Sequence, residues 1–274
     1  MRTSKIKAVL CDFDGTLVNK NSEDYTSGVP DLVSKLKQKK VRFSLATGRG
    51  YFGKVKKVIN SLGVNDIHIF NGGGMLRDTR TGKLIYYQPI SKSSVKEIAG
   101  FFVERKLTFT LETKESAYLY PITANPSYLK GVEIIDFKKY DGTEDVMKMV
   151  LFVEGNNLDE KTIIDISKKI SGFSKDVDMT RFNFHGKFGL DITSEKATKH
   201  TAILEYIKLL SLKPDELVGI GDSYNDYPLF TACGFRIAMN NAPDHLKEIA
   251  DLVVPPVEDG GMEEALKYIL DNLV

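Results

Sequence analysis

The sequence of 274 residues predicts an α/β protein, a doubly wound parallel sheet interrupted by an inserted α+β domain. Three observations carry this expectation. Short apolar runs alternate with helical patterns at both ends of the chain. Most of those runs stop at a glycine-rich, acidic or amide-rich turn. From about residue 85 to 185 the one-for-one alternation breaks down.

Ile6 to Cys11 reads as a buried strand that empties into Asp12-Phe13-Asp14-Gly15-Thr16. Leu32, Val33 and Leu36 recur at helical spacing behind Pro30, which suits the start of a helix. Val41 to Ala46 is a second strand, ending in Thr47-Gly48-Arg49-Gly50. Phe52, Val55, Val58, Ile59 and Leu62 then mark an amphipathic helix closed by Gly63. Ile67 to Phe70 is a third strand, ending at Asn71 and glycines 72 to 74. Strands and helices in this order build βαβ units, and parallel sheets bind ligands beyond the carboxyl ends of their strands. Asp12, Thr47 and Asn71 all fall at such ends.

Met75 to Asp78 and Lys83 to Tyr87 flank Thr79 to Gly82 as a hairpin. A helix follows over about Ser93 to Arg105, then strands at Thr108 to Leu111, Ala117 to Tyr120, Val132 to Phe137 and Lys148 to Val153. Asp159 to Ile170 is a helix, and Asp176 to Met179 with Arg181 to His185 reads as a strand pair. The βα alternation resumes with Gly189 to Ile192, a helix over Thr198 to Leu210, and the strand Leu217 to Ile220. That strand runs into Gly221-Asp222-Ser223-Tyr224-Asn225-Asp226. Phe235 to Ala238, Asp244 to Ala250, Leu252 to Val254 and Met262 to Leu273 complete the pattern as strand, helix, strand and helix. The division expected is a core from residues 1–84 and 186–274, with an α+β insert over 85–185.

Lys and Arg (38) nearly balance Asp and Glu (37), which argues against a nucleic-acid partner and for a small substrate. Cys11 and Cys233 are too few for a disulfide framework and suit a reducing compartment. The apolar part of the first ten residues is cut off by Asp12, short of a signal core or membrane span, so a soluble cytoplasmic protein with no membrane partner is expected. The pattern says nothing about oligomeric state.

Asp12 and Asp14 lie two apart at a strand end, where two carboxylates repel one another. A bound cation relieves that repulsion, and hard oxygen ligands without local His or Cys suit Mg²⁺ better than Zn²⁺. The competing reading of these residues alone is an ordinary Asp-Gly turn. Thr47 alone is an ordinary helix cap, Lys199 alone a surface helix residue, and Gly-Asp-x-x-Asn-Asp alone a turn. Their joint placement at strand and helix ends of one parallel sheet favours a functional site. Cys11 alternates away from that end and reads as core, and histidines 68, 185, 200 and 245 show no metal-binding spacing.

Asp12-Phe13-Asp14-Gly15-Thr16, Thr47-Gly48-Arg49, Lys199 and Gly221-Asp222-x-x-Asn225-Asp226, in this order, resemble the four motifs of the haloacid dehalogenase superfamily. The insert between the second and third motifs, with Ala238-Met239-Asn240-Asn241-Ala242 downstream, is similar to its Cof-type capped phosphatases. One departure is His200, where the family has a glycine after its lysine, which bears on the backbone at that helix start.

The resemblance implies a Rossmann-like core, a substrate-selecting cap that closes over the site, and a Mg²⁺-dependent phosphomonoester hydrolase acting on a sugar phosphate or similar metabolite. In that scheme Asp12 is the nucleophile that forms an aspartyl-phosphate, and Asp14 is the acid and then the base. Mg²⁺ is held by Asp12, the Asp14 backbone carbonyl and Asp222. Phosphate oxygens meet Thr47, the amides of Phe13 and Gly48, Lys199 and Asn225, and Asp226 orients Lys199 or metal-bound water. Arg181, Asn183 and His185 form a polar face of one cap strand that could meet substrate. Two other readings use the same residues. A phosphomutase would return the phosphoryl group to a hydroxyl, and a phosphate-responsive signalling module would keep it on Asp12.

Overall fold

The computed structural model describes residues 5–20, 22, 24–184 and 186–274. The chain opens with β1 (Ala8–Cys11), α1 (Val29–Gln38), β2 (Arg42–Leu45), α2 (Gly53–Leu62), β3 (Ile67–Phe70), β4 (Met75–Asp78) and β5 (Leu84–Tyr87). The middle supplies α3 (Lys92–Glu104), β6 (Phe109–Glu112), β7 (Ser116–Tyr120), β8 (Glu133–Asp136), β9 (Lys148–Leu151), α4 (Glu160–Phe173), β10 (Val177–Phe184) and β11 (Lys187–Ser194). It closes with α5 (Lys199–Leu210), β12 (Leu217–Gly221), α6 (Tyr227–Ala232), β13 (Phe235–Met239), α7 (Asp244–Lys247), β14 (Leu252–Val254) and α8 (Gly261–Asn272).

The first compact unit comprises residues 1–49, 55–86 and 198–274. Its parallel sheet runs β14-β13-β12-β1-β2, so β1 is flanked by a strand from each end of the chain. Ala8 pairs with Arg42 on one side and Leu217 on the other, and Cys11 with Leu45 and Ile220. All four residues of β1 are buried, as a central strand covered on both faces requires. Ala8 and Leu10 pack into a cluster with Ile203, Tyr206, Leu229 and Phe230 of α5 and α6. Alternation along the strand leaves the other face to α1 and α8, which pack on each other.

The expected third strand of that sheet departs from it. β3 joins β4 and β5 in a separate three-stranded sheet and touches the parallel sheet through one bridge, Ala46 to Ile69. The cause is His68, whose ring stands where a ladder bond would run. Its Nδ1 accepts the Leu45 amide at 2.9 Å, and its Nε2 lies 2.7 Å from the Val64 carbonyl. Burial drives the His68 pKa down to about 4 against the raising effect of the Val64 carbonyl, so the ring is neutral and its Nε2 carries the proton.

The second unit comprises residues 87–197 with 50–54. Its sheet runs β10-β11-β9-β6-β7-β8. α3 and α4 cover one face through Val95, Ile98, Phe102, Ile163, Ile166 and Ile170. Here the expectation from sequence needs correction. Gly189 to Ile192 does not return to the core but lies inside β11, antiparallel to both β9 and β10. Residues 176–185, read as a strand pair, contain the single strand β10, whose partner is β11. Phe184 pairs with Lys187 at the end of that ladder, and the second unit runs on to 197, where the expectation ended the insert at 185.

Candidate active site

Asp12 directly follows β1, and its amide donates to the Ile220 carbonyl at 2.9 Å, which carries the sheet one residue past the strand. The carboxylate lies at the carboxyl end of β1, next to the end of β12, where the chain direction across the sheet reverses. Lys199 begins α5, whose cap is Thr198 accepting the Thr201 amide at 3.0 Å. His200 therefore leaves the start of this helix regular. Gly73, at φ +105°, brings the β3–β4 turn against the same point, and a Cβ there would stand 2.0 Å from the Thr198 oxygen.

Lys199 Nζ donates to Asp12 Oδ1 and to Asp226 Oδ1, each at 2.6 Å. Asp226 is in turn fixed by its other oxygen, which accepts the amides of Asp222 and Ser223 at 3.0 Å each. Asp222 accepts Thr16 Oγ1 at 2.9 Å on Oδ1, and Lys20 Nζ at 2.7 Å and Asn241 Nδ2 at 3.2 Å on Oδ2. Asp12, Asp222 and Asp226 are all buried, and each places one oxygen within 4.8 Å of the others. Three carboxylates in so small a volume, with no His or Cys among them, fit a hard divalent cation.

Burial, with the charge of Asp226 adding to it, pushes the Asp12 carboxyl well above the usual carboxylate range, and Lys199 opposes that push. Burial alone would depress the Lys199 ammonium, but Asp12 and Asp226 outweigh it and hold the pKa above the ordinary lysine value. Burial also raises Asp222, with Lys20 working against it. The cluster is short of positive charge.

Asp14 sits apart from this cluster. Arg49 grips its carboxylate at two points, Nε to Oδ2 at 2.8 Å and Nη2 to Oδ1 at 2.5 Å. The guanidinium also lies 5.4 Å from the centre of the Phe13 ring, which is fully buried. Thr47 is buried, its hydroxyl accepting the Arg49 amide at 3.1 Å, and its backbone is held between Ile69 and Gly72. A Cβ on Gly48 would meet nothing within 4 Å, so the space beside its backbone is open. Asn225 is exposed and its Oδ1 accepts the Ser223 hydroxyl at 2.5 Å.

The structure thus unites Asp12, Lys199, Asp222 and Asp226, sets Asp14 beside Arg49, and leaves Asn225 turned to Ser223. Four participants were not assigned from sequence. Thr16 and Arg49 lay inside motifs without a role of their own, and Asn241 lay in the stretch 238–242 without a role. Lys20 carries no sequence signal, since it follows the motif in a segment without periodicity. Of the three residues expected on a polar face of the second unit, Arg181 lies on the α4 side, in a groove with Lys168 and Lys175. Asn183 accepts the Gly186 amide at 3.0 Å and borders a cavity of about 270 Å³ with Tyr128, Lys148, Phe152, Phe182 and Asp191. His185 lies outside the described residues.

Among known proteins, a family model described as haloacid dehalogenase-like hydrolase matches residues 9–266. A putative phosphatase of Bacillus subtilis, YkrA, is 25% identical over 271 residues, covering 96% of this chain and 97% of the relative. A phosphoglycolate phosphatase of Archaeoglobus fulgidus is 27% identical over 266 residues, covering 97% of each. The crystal structure of a haloacid dehalogenase-like hydrolase from Bacteroides thetaiotaomicron superposes with a TM-score of 0.84 at 20% identity, covering 97% of this chain and all of that one.

Proposed function

The chain belongs to the haloacid dehalogenase-like hydrolase family, and from that premise we propose that it hydrolyses a small phosphomonoester through a phosphoryl group carried on Asp12. The observation that carries the reading is Asp12 at the end of the central strand, 2.6 Å from a buried lysine and inside a three-carboxylate cluster. One Asp12 oxygen attacks phosphorus as the bond to the ester oxygen breaks, and Asp14 gives its proton to the departing alkoxide. Asp14 then takes a proton from the water that attacks the aspartyl-phosphate, which releases phosphate and restores Asp12. For the first of these steps Arg49 must relax its two-point hold on Asp14. Lys199 keeps Asp12 aimed and offsets charge on the transferring oxygens, with Thr47 and the amides of Phe13 and Gly48 as further donors. Asp12, Asp222 and the Asp14 carbonyl would hold Mg²⁺, which when bound orients the phosphate and neutralises its charge.

The core residues all address the phosphoryl group, so choice of leaving group falls to the second unit. Its cavity offers aromatic rings beside the Lys148–Asp191 pair, a lining suited to a small polar molecule with a carbon face.

A panel of phosphorylated metabolites, assayed for phosphate release with the wild type and Asp12→Asn, tests the reading. Wild-type turnover should be lost at least about 10³-fold in the variant with circular dichroism unchanged. Normal turnover in Asp12→Asn would exclude covalent catalysis there. Substrate loss without phosphate release would turn the reading towards a mutase. Chelation should abolish activity and added Mg²⁺ restore it.

A further inference from the structure

We propose that Lys20 is a displaceable counter-ion of the metal site, resting on Oδ2 of Asp222 while no divalent cation is bound and giving that carboxylate up when one binds. This rests on the reading of Asp12 and Asp222 as metal ligands. The donors on Asp222 are unequal. Thr16 and Asn241 are neutral and can keep their hydrogen bonds beside a cation, whereas the Lys20 ammonium, 2.7 Å from Oδ2, cannot share that oxygen with a second positive charge.

The two lysines of the site differ in the same sense. Lys199 has a side chain only 3% exposed and is fixed by two carboxylates, so it has nowhere to go. Lys20 has a side chain 56% exposed and one carboxylate partner at 2.7 Å, so it can swing into water. Three carboxylates less one buried lysine leave a charge of −2, which a divalent cation matches. With Lys20 in place the remainder is −1, which makes the metal-free site tolerable and the metal-bound one overfilled.

The path of the lysine is built into the loop. Gly15 donates to the Val18 carbonyl at 2.7 Å and Val18 to the Phe13 carbonyl at 2.9 Å, a tight return that sends Lys20 back over Gly15. Gly15 has φ +83°, and a Cβ there would lie 2.4 Å from Lys20 Cε and 2.6 Å from Asp222 Oδ2. Only a residue without a side chain lets the lysine reach the acid.

The test is calorimetric titration of Mn²⁺ into metal-free wild type, Lys20→Met and Lys20→Arg, with thermal midpoints measured before and after saturation. Lys20→Met should bind Mn²⁺ roughly tenfold tighter, as expected for removing one competing cation from a partly exposed site. Its metal-free midpoint should fall below that of the wild type, and its gain on saturation should be larger. Lys20→Arg, which keeps the charge, should stay near wild type. Equal or weaker Mn²⁺ binding by Lys20→Met, with the wild type binding normally, overturns the counter-ion and leaves the metal site standing. No Mn²⁺ binding by the wild type overturns both.

Discussion

Each compact unit holds a lysine among acids, and the two settings differ. In the core, Lys199 enters from the start of a helix, and its partners Asp12 and Asp226 come from loops beyond two parallel strands. In the second unit, Lys148 stands on β9, opposite Glu112 of β6 and 2.8 Å from Asp191 of β11. Strand register sets those spacings, and Tyr128, hydrogen-bonded to Thr110 at 2.7 Å, lies over the same face and bonds Glu112. Fixed spacing on a sheet face holds these acids apart, one on each neighbouring strand. Loops past the ends of parallel strands are free of that register and can crowd a third acid, Asp222, into the group. The larger surplus, three buried acids on one buried lysine, lies in the core, and the smaller group of Lys148 with Glu112 and Asp191 borders a cavity.

The largest expected break in this comparison comes from Lys199→Met. It leaves Asp12 and Asp226 buried without their cation, which should cost roughly 3–5 kcal/mol of metal-free stability. It should also lower turnover on every substrate by about 10³-fold. Denaturant midpoints and phosphate-release rates check both, and a variant as stable as wild type would refute the charge argument.

Next in size is an acid response of the core that has its source in His68. The pKa of His68 is depressed in the folded state, so its neutral ring contributes stability above the unfolded value of 6.5. That contribution is lost as pH falls through about 4. The full loss is about 3 kcal/mol for a shift of that size. The Leu45 amide, which donates to this ring, should lose exchange protection over the same range. In His68→Gln the pH dependence should flatten, and an unaltered profile would remove His68 as its source.

The smallest effect is expected from Lys148→Met, whose pair is partly exposed. Roughly 1–3 kcal/mol of stability should go, and kcat/KM should change unequally across the metabolite panel. A uniform collapse on all substrates would erase the distinction between the two lysines.

Much of the core was legible in the sequence because each apolar run stops abruptly at polar residues. Asp12, Thr47 and Asp222 could be placed at strand ends without knowing which strands are neighbours. Gly189 to Ile192 was misplaced because a four-residue run alternating apolar and polar side chains looks alike whichever sheet it joins. Only pairing with β9 and β10 decides it. His68 was noted only for lacking metal-binding spacing, since a ring substituting for a ladder bond leaves no periodic trace. Lys20 and Asn241 reach Asp222 across 202 and 19 residues, and such contacts follow from loop geometry, which residue pattern does not encode.

The place of β1 between β2 and β12 has a consequence for synthesis on the ribosome. Its second neighbour is encoded about two hundred residues later, so one flank of this apolar strand stays bare while the whole insert emerges. At typical elongation rates that interval is on the order of ten to forty seconds. A nascent chain stalled before residue 217 therefore exposes a sticky edge that the finished protein never shows. Guarding that edge is a task for chaperones, and the pace of translation through the insert sets how long they must do it.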